Sequence, residues 1–285
     1  MTTAATFELR SPRGLAILAA LILASGMAFL LGSALGVALP AIQAGFATDL
    51  SAVQWVMNSH LLVESALLPA SGALSDIYGR RRVFLLGILV FTVSGAASAF
   101  VPGVDYLIAT QACQGLGGAL MIPGSLALIQ THFREADRGL AIGIWAGVSA
   151  ATAALGPPLG GFLVAAAGWR SIFALVIPLG ALAASVTLFA IPSSPRRSAQ
   201  GARPDPAGTL LLGAGLCLLC YALIFTPSAG WRNPAIQAAA FGGLASLATF
   251  VFWQRNARHP MIPGRLFEQP DGIGANLLRG VCTSP

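Results

Sequence analysis

Apolar residues run through this chain in long stretches, separated by short polar segments rich in arginine and proline. A helix rises about 1.5 Å per residue, so about 20 apolar residues cross the hydrocarbon core of a bilayer. Eight stretches are long enough to cross, and nearly all of them are free of charge. They are residues 14–39, 52–74, 83–101, 106–129, 139–168, 171–191, 207–225 and 235–253. The pattern predicts an all-α membrane protein with eight spans.

The composition supports a membrane location. Of the 285 residues, 56% are hydrophobic and 9% are charged, and the mean hydropathy is +0.77. Soluble domains carry about 25% charged residues, so this surface suits lipid rather than water. The first stretch follows Arg10 and Arg13 as a signal peptide would, but its 26 uncharged residues are too many for a cleaved signal, which predicts an uncleaved first span.

The arginines predict the orientation of the spans, because cytoplasmic loops collect positive charge. With the N-terminus inside, thirteen arginines fall in cytoplasmic segments, whereas the outer loops hold only Arg170 and Arg232. The thirteen are Arg10, Arg13, Arg80, Arg81, Arg82, Arg134, Arg138, Arg196, Arg197, Arg203, Arg255, Arg258 and Arg265. We therefore expect a multi-pass protein of the cell membrane with a cytoplasmic N-terminus. The net charge of +6 then reflects topology, and nucleic acid is not implied.

The polar segments divide the chain into four parts. Residues 1–192 are predicted to form a six-helix bundle, and residues 193–206, with arginines and prolines, a cytoplasmic linker. Residues 207–254 supply two further spans. Residues 255–285 form a cytoplasmic loop and the start of a ninth span that is too short to cross, so the chain is expected to be unfinished.

The segment GALSDIYGRRR joins the second and third spans. We expect Gly72 to permit close helix approach, Gly79 to permit a tight turn, and Asp76 to pair with an arginine or accept hydrogen bonds. Arg80 and Arg81 are expected to anchor the loop at the inner headgroups, together with the arginine that follows. An ordinary positively charged loop is the alternative, but anchoring alone does not need two glycines and an aspartate.

Two glycine-rich segments lie inside other spans. In GVSAATAALGPPLGG of the fifth span, the glycines are expected to form one thin face and the prolines to bend the helix; the residues are Gly147, Gly156, Gly160, Gly161, Pro157 and Pro158. A plain packing face is the alternative. In QACQGLGGALMIPGS of the fourth span, Gln111 and Gln114 lie one turn apart as candidate groups of a proton or substrate site. These glycines lack the spacing of a phosphate-binding loop.

These three segments, with GVALPAIQ at the end of the first span, resemble the signature motifs of the major facilitator superfamily. The likeness is strongest to its fourteen-span drug:proton antiporters of the EmrB/QacA type. The resemblance implies an N-terminal six-helix bundle, an inserted helix pair and a missing C-terminal bundle. It implies multidrug efflux of small amphipathic molecules by proton-coupled antiport, with no enzyme activity, cofactor or metal.

The chain departs from the family pattern at four positions. The aspartate common in the first span is replaced by Leu31, and the asparagine before the VALP motif by Gly36. The arginine that opens the fourth-span motif is Gln111, and the basic residue after Asp76 is Ile77. The absence of the first-span acid and the absence of the fourth-span arginine fit together, because an arginine without a partner in the membrane costs about 2.5 to 3.5 kcal/mol. The usual proton-coupling pair is absent.

Glu64 lies near the middle of the second span, where an ionisable residue is a functional candidate. His60 precedes it by one turn on the same helix face, close enough to share a proton, and Asn58 adds a polar group. We hypothesise that His60 and Glu64 form a substitute proton or cation site facing the central cavity. A structural hydrogen-bonded pair is the alternative.

Three functions remain open at this point. The first is a permease that works by alternating access on small amphipathic substrates, with protons as a further partner. The second is a truncated, transport-incompetent fragment that lacks its C-terminal bundle. The third is a half-transporter that works as a homodimer. An enzyme is not expected, because the chain has no Gly-x-Ser-x-Gly or His-Glu-x-x-His motif.

Overall fold

The computed structural model describes residues 6–192 and 205–256. Within these ranges nearly every residue is helical, and the only β-type pairing is an isolated bridge between Phe7 and Phe133. The helices are α1 (Pro12–Phe46), α2 (Leu50–Tyr78), α3 (Arg80–Ala99), α4 (Val104–His132), α5 (Glu135–Ala167), α6 (Arg170–Ala174), α7 (Val176–Ala190), α8 (Pro206–Ala229) and α9 (Pro234–Asn256). The predicted all-α membrane fold is confirmed.

Seven helical segments are long and apolar enough to cross a membrane, and α2 is not among them. Its length is sufficient, because 29 helical residues extend about 43 Å. Its hydropathy is lowered by Gln54, Asn58, His60 and Glu64, which interrupt the apolar sequence. The helix nevertheless packs against both α4 and α8, and His60 is buried there.

The sixth predicted span, residues 171–191, is interrupted at Leu175. Pro178 lacks a backbone N–H, so the carbonyl of Ala174, four residues earlier, has no helical partner. The span is therefore divided into α6 and α7. Leu175 keeps helical dihedral angles (φ −59°, ψ −28°), so the interruption is local.

The bundle core forms around α1, which packs against α5, α7 and α4. Phe84 and Phe91 of α3 and Phe173 of α6 are fully buried in the same apolar cluster. Leu31, at the position where the resemblance leads one to expect an acid, is only 2% exposed and belongs to this cluster. A charge at that position would therefore need a partner that this core does not provide.

The α8–α9 hairpin packs against α2 and is fastened by the carboxylate of Asp205. This carboxylate accepts hydrogen bonds from Gly208 N at 2.9 Å, from Trp253 Nε1 at 3.0 Å and from Gln254 Nε2 at 2.8 Å. Asp205 is 8% exposed, so these donors replace the water that it would otherwise bind. The residue caps the start of α8 and holds the end of α9 beside it.

Replacing Asp205 with alanine is expected to lower the stability of the chain by about 1–3 kcal/mol, because buried donors lose their acceptor. Asp205→Asn keeps one acceptor oxygen and should lose less. Asp49→Ala is the matched control, since Asp49 caps α2 through one exposed bond, to Ala52 N. Thermal unfolding in detergent, followed by circular dichroism, ranks the three variants by stability. Equal losses for the Asp205→Ala and Asp49→Ala chains would contradict the fastening role of Asp205.

Candidate functional site

His60 and Glu64 form the pair that their spacing predicted. His60 Nε2 lies 3.3 Å from Glu64 Oε2, and the two side chains are 11% and 17% exposed. Both project from the middle of α2 on one face, because residues four apart in a helix are neighbours. The geometry therefore places an acid and an imidazole together, far from either end of the helix.

Helices α4 and α3 pack against this pair of residues. A Cβ added to Gly115 would overlap the carbonyl oxygen of His60, and one added to Gly118 would lie 3.3 Å from Glu64 Oε2. The ring of Phe91 stands edge-on to the His60 ring, with 6.0 Å between their centroids. Glycines on α4 thus let the backbones of α2 and α4 approach at the level of the pair.

One face of α2 stays uncovered by the described residues. We call it the open stripe; its residues recur at three- and four-residue spacing and are Asn58, Leu61, Ser65, Leu68 and Gly72. Asn58 is half-buried and the others are exposed. Glu64 neighbours Leu61 and Leu68 on the helix surface, so the acid lies at the edge of the open stripe.

The two glutamines of α4 belong to a different contact. Gln111 and Gln114 are buried; Gln111 Nε2 donates to Gln114 Oε1 at 2.7 Å and to Ser98 Oγ at 3.2 Å. Gln114 Nε2 donates to the carbonyl of Phe91 at 3.2 Å. These bonds join α4 to α3, and none of them reaches His60 or Glu64. The glutamines therefore make no hydrogen bond with the pair, although Phe91, whose carbonyl accepts from Gln114, also packs against the His60 ring.

The segment between α2 and α3 links four helices. Asp76 Oδ1 accepts from Arg80 Nη2 at 3.3 Å, so the expected pairing with an arginine is present. Arg80 Nη1 also donates to Ala127 O of α4 at 3.0 Å, and Arg81 Nη2 donates to Leu188 O of α7 at 2.7 Å. Both arginines thus also bond to carbonyls of neighbouring helices, and their contact with headgroups stays a prediction.

The two glycines of this segment differ. Gly79 has φ +94°, in the region that side chains disfavour, so the predicted turn is present. Gly72 is exposed, and a Cβ added to it would meet no described atom within 4 Å. The close approach expected at Gly72 is therefore not made among the described residues, because its position lies on the open stripe.

Gly79→Ala is expected to lower stability by about 1–2 kcal/mol, the cost of a side chain in a left-handed conformation. Gly72→Ala is the matched control: it has room and a helical backbone, so it should be neutral or should stabilise by up to about 1 kcal/mol. Thermal unfolding of both variants in the same detergent checks the difference. Similar melting temperatures for the two variants would show that the turn relaxes without strain.

The glycines of the fifth span also differ in whether they contact a neighbouring helix. A Cβ added to Gly156 would lie 2.8 Å from Leu30 O, and one added to Gly160 would lie 2.8 Å from Ala34 Cβ, so these two pack closely on α1. Gly161 has ordinary contact with α1, and a Cβ on Gly147 would meet no described atom within 4 Å. Helix α5 continues through exposed Pro157 and Pro158.

Sequence reasoning missed a buried polar network. Trp145 Nε1 donates to Ser25 Oγ at 3.1 Å, and Ser25 Oγ donates to Ser125 Oγ at 3.2 Å. The three residues lie on α5, α1 and α4, so no spacing along one helix could have indicated them. The network fixes these helices relative to one another, since each buried donor has one specific acceptor.

The residues before α1 were also missed. Phe7 N donates to His132 O at 2.7 Å, Leu9 N donates to Asp137 Oδ2 at 3.1 Å, and Glu8 pairs with Arg134. We call residues 7–9 the N-terminal clasp. It is bound to the turn between α4 and α5, and no hydrophobic period in the sequence indicates such a contact.

The fold defines a multi-pass helical membrane protein. The structure resembles a bacterial homolog to human lysosomal transporter Spinster, in inward-facing and occupied conformation, with a TM-score of 0.56 and 20% identity over 88% of this chain and 64% of that chain. It also resembles the POT family transporter PepTSo, with a TM-score of 0.52 and 16% identity over 86% and 55%. At these identities the likeness shows the fold alone.

Residues 21–253 match the Major Facilitator Superfamily, and the chain belongs to this family. It is 36% identical over 262 residues to the methylenomycin A resistance protein of Bacillus subtilis (strain 168), covering 92% of this chain and 56% of that protein. It is 36% identical over 258 residues to the multidrug resistance protein Stp of Mycobacterium tuberculosis (strain CDC 1551 / Oshkosh), covering 90% and 47%.

A third relative is the tetracenomycin C resistance and export protein of Streptomyces glaucescens, 34% identical over 231 residues, covering 81% and 43%. The chain spans about half the length of the curated relatives it matches. The names of these relatives are those of resistance and export proteins and not of enzymes.

Proposed function

We propose that the chain provides the N-terminal bundle and the following helix pair of a fourteen-span drug:proton antiporter of the EmrB/QacA type. The names of the relatives, which include resistance and export proteins, support an exported drug or antibiotic as substrate. The observation that carries the proposal is the His60–Glu64 pair. Among the described helices, Glu64 is the one acidic residue that lies more than a turn from a helix end.

A carboxylate at this depth can exchange a proton for a substrate. Ionised Glu64 is costly inside a membrane and is stabilised by the imidazole beside it, whereas protonated Glu64 is neutral. A small amphipathic molecule that enters beside the open stripe competes for the same space. Binding of the proton and binding of the substrate then exclude each other, so the substrate binds when the proton is released, which is the requirement of antiport.

The pair takes the place of the charges that the family pattern puts elsewhere. The position of the usual acid, Leu31, lies in the apolar core, and Gln111 is bonded to α3. Neither can carry a proton through the cycle. Glu64, at the edge of the open stripe, keeps part of its side chain accessible.

Alternating access needs two bundles that move about a midplane site. We propose that the open stripe of α2 and the exposed glycine positions of α5 face a second bundle, which comes either from further chain or from a second copy. The protein would reside in the cell membrane with its N-terminus in the cytoplasm, because arginines gather at the corresponding ends of the helices.

Vesicle reconstitution tests this function. The chain is incorporated alone, or with the remaining C-terminal part of the Bacillus subtilis relative, and efflux of the amphipathic dye ethidium is followed with and without a pH gradient. We expect gradient-dependent efflux when a second bundle is supplied. Efflux by the chain alone, with dimers on crosslinking, would favour the homodimer. Absence of dye movement in both preparations would favour the transport-incompetent fragment and overturn the proposal.

A further inference from the structure

The two ring nitrogens of His60 have different surroundings. Nε2 faces Glu64 Oε2 at 3.3 Å. Nδ1 is fully buried, and no described protein group forms a hydrogen bond with it. His60 as a whole is 8% exposed, and the ring lies edge-on to Phe91. The ring therefore has one polar contact, at Nε2, and one buried nitrogen without a hydrogen-bond partner among the described residues.

This enclosure selects one tautomer of the neutral ring. A buried N–H without an acceptor is less favourable than a buried nitrogen lone pair, so the proton of the neutral ring belongs on Nε2, where Glu64 accepts it. A proton added to the ring would have to be carried at Nδ1, for which no described group provides an acceptor.

Apart from Glu64 itself, no described charged group lies close to the ring. Helix α4 presents Gly115 and Gly118 to the pair, α3 presents Phe91, and α8 approaches α2 through Gly213, which faces Ala66. The Asp76–Arg80 pair lies about 18 Å further along α2, counted from Glu64 at 12 residues. Among the described residues, Glu64 and His60 have only each other as ionisable partners.

We propose, resting on the antiport function above, that His60 is a positioning residue and that Glu64 alone takes up and releases the coupled proton. The proton adds to a carboxylate oxygen of Glu64 and converts it to the neutral acid. His60 keeps its Nε2 proton throughout, donating first to the carboxylate and then to the carbonyl oxygen of the acid. The histidine orients the carboxyl group and transfers no proton.

Magnetic resonance tests the assignment on the chain itself. The sequence has three histidines, so the chain labelled with ¹⁵N-histidine in lipid nanodiscs gives few signals, and His60→Gln identifies the one that belongs to residue 60. We expect the His60 signal to report the same neutral Nε2–H form at every pH sampled across the change in the ¹³C signal of the Glu64 carboxyl group. A cationic ring that appears in step with Glu64 protonation would overturn the assignment.

Transport variants separate this inference from the function on which it rests. His60→Gln keeps an N–H donor that does not titrate, so we expect gradient-dependent efflux with an unchanged pH profile. His60→Leu removes the donor and should shift the pH profile. If Glu64→Gln leaves coupling unchanged, the antiport function fails. If both Glu64→Gln and His60→Gln abolish coupling, the function stands and His60 carries the proton, which contradicts the positioning role.

Discussion

Replacing Glu64 with glutamine will abolish the pH-gradient-dependent part of ethidium efflux and leave the bundle folded. The amide has the shape of the carboxyl group and keeps an oxygen that accepts from His60 Nε2, so the contacts with α4 are retained. It cannot bind and release a proton, and the gradient then has no group on which to act. Efflux from vesicles, measured with and without the gradient, gives the difference directly.

Glu135→Gln is the control for this substitution, because it makes the same chemical change at the exposed first residue of α5. It should leave both efflux and its pH dependence as they are. Thermal unfolding of the Glu64→Gln chain should match that of the unsubstituted chain. Full gradient-dependent efflux after Glu64→Gln would remove the pair from the mechanism, and a large loss of stability would assign it a structural role.

Gly160→Ala will destabilise the bundle by about 1–3 kcal/mol through overpacking. The added methyl group would lie 2.8 Å from Ala34 Cβ and 3.0 Å from Ala34 Cα, so helices α1 and α5 must separate. Gly156→Ala should act in the same direction, because the methyl group meets the backbone carbonyl of Leu30 at 2.8 Å. A backbone carbonyl and a Cα atom cannot rotate aside as the end of a long side chain can.

Gly147→Ala supplies the comparison within the same helix. A Cβ at this position would meet no described atom within 4 Å, so the substitution should be neutral or should stabilise by up to about 1 kcal/mol. Unfolding in detergent with increasing sodium dodecyl sulfate ranks the three variants. If Gly147→Ala were as damaging as Gly160→Ala, intrinsic properties of α5, rather than its contact with α1, would set the effect.

The helices could be predicted because each depends on a local pattern. Every predicted span overlaps a helix, including α2, whose polar residues lower its hydropathy. The interruption at Leu175 also has a local cause, Pro178. Many helices in membranes tolerate proline, however, so the sequence alone does not show whether a helix with a proline is continuous or interrupted. Length and hydrophobicity thus predict where helices lie more reliably than where they break.

The site was predictable only where its geometry belongs to one helix. His60 and Glu64 are four residues apart, and helical spacing suffices to bring them together. Gly118, Phe91 and the burial of Nδ1 depend on how α4 and α3 are rotated against α2. That rotation results from the packing of the whole bundle and cannot be deduced from the spacing of residues along the sequence.

The same limit applies to the other polar residues of the spans and their ends. Gln111 and Gln114 are polar residues within a span, as Glu64 is, and their spacing does not indicate that they bond to α3. Arg80 lies among three arginines, and their order does not indicate that it reaches a carbonyl of α4. Residue type indicates that a polar contact is needed, whereas the neighbouring helix decides which contact forms.

The N-terminal clasp has a consequence for the order of events during synthesis. Leu9 N bonds to Asp137, which follows 128 residues later, and the turn after α4 must be present to receive Phe7. A growing chain emerges from its N-terminus, so these first residues wait until α5 has left the ribosome before they can dock. The segment made earliest therefore docks only after α1 to α4 have been made, and a ribosome halted before α5 would hold four inserted helices with that segment still unattached.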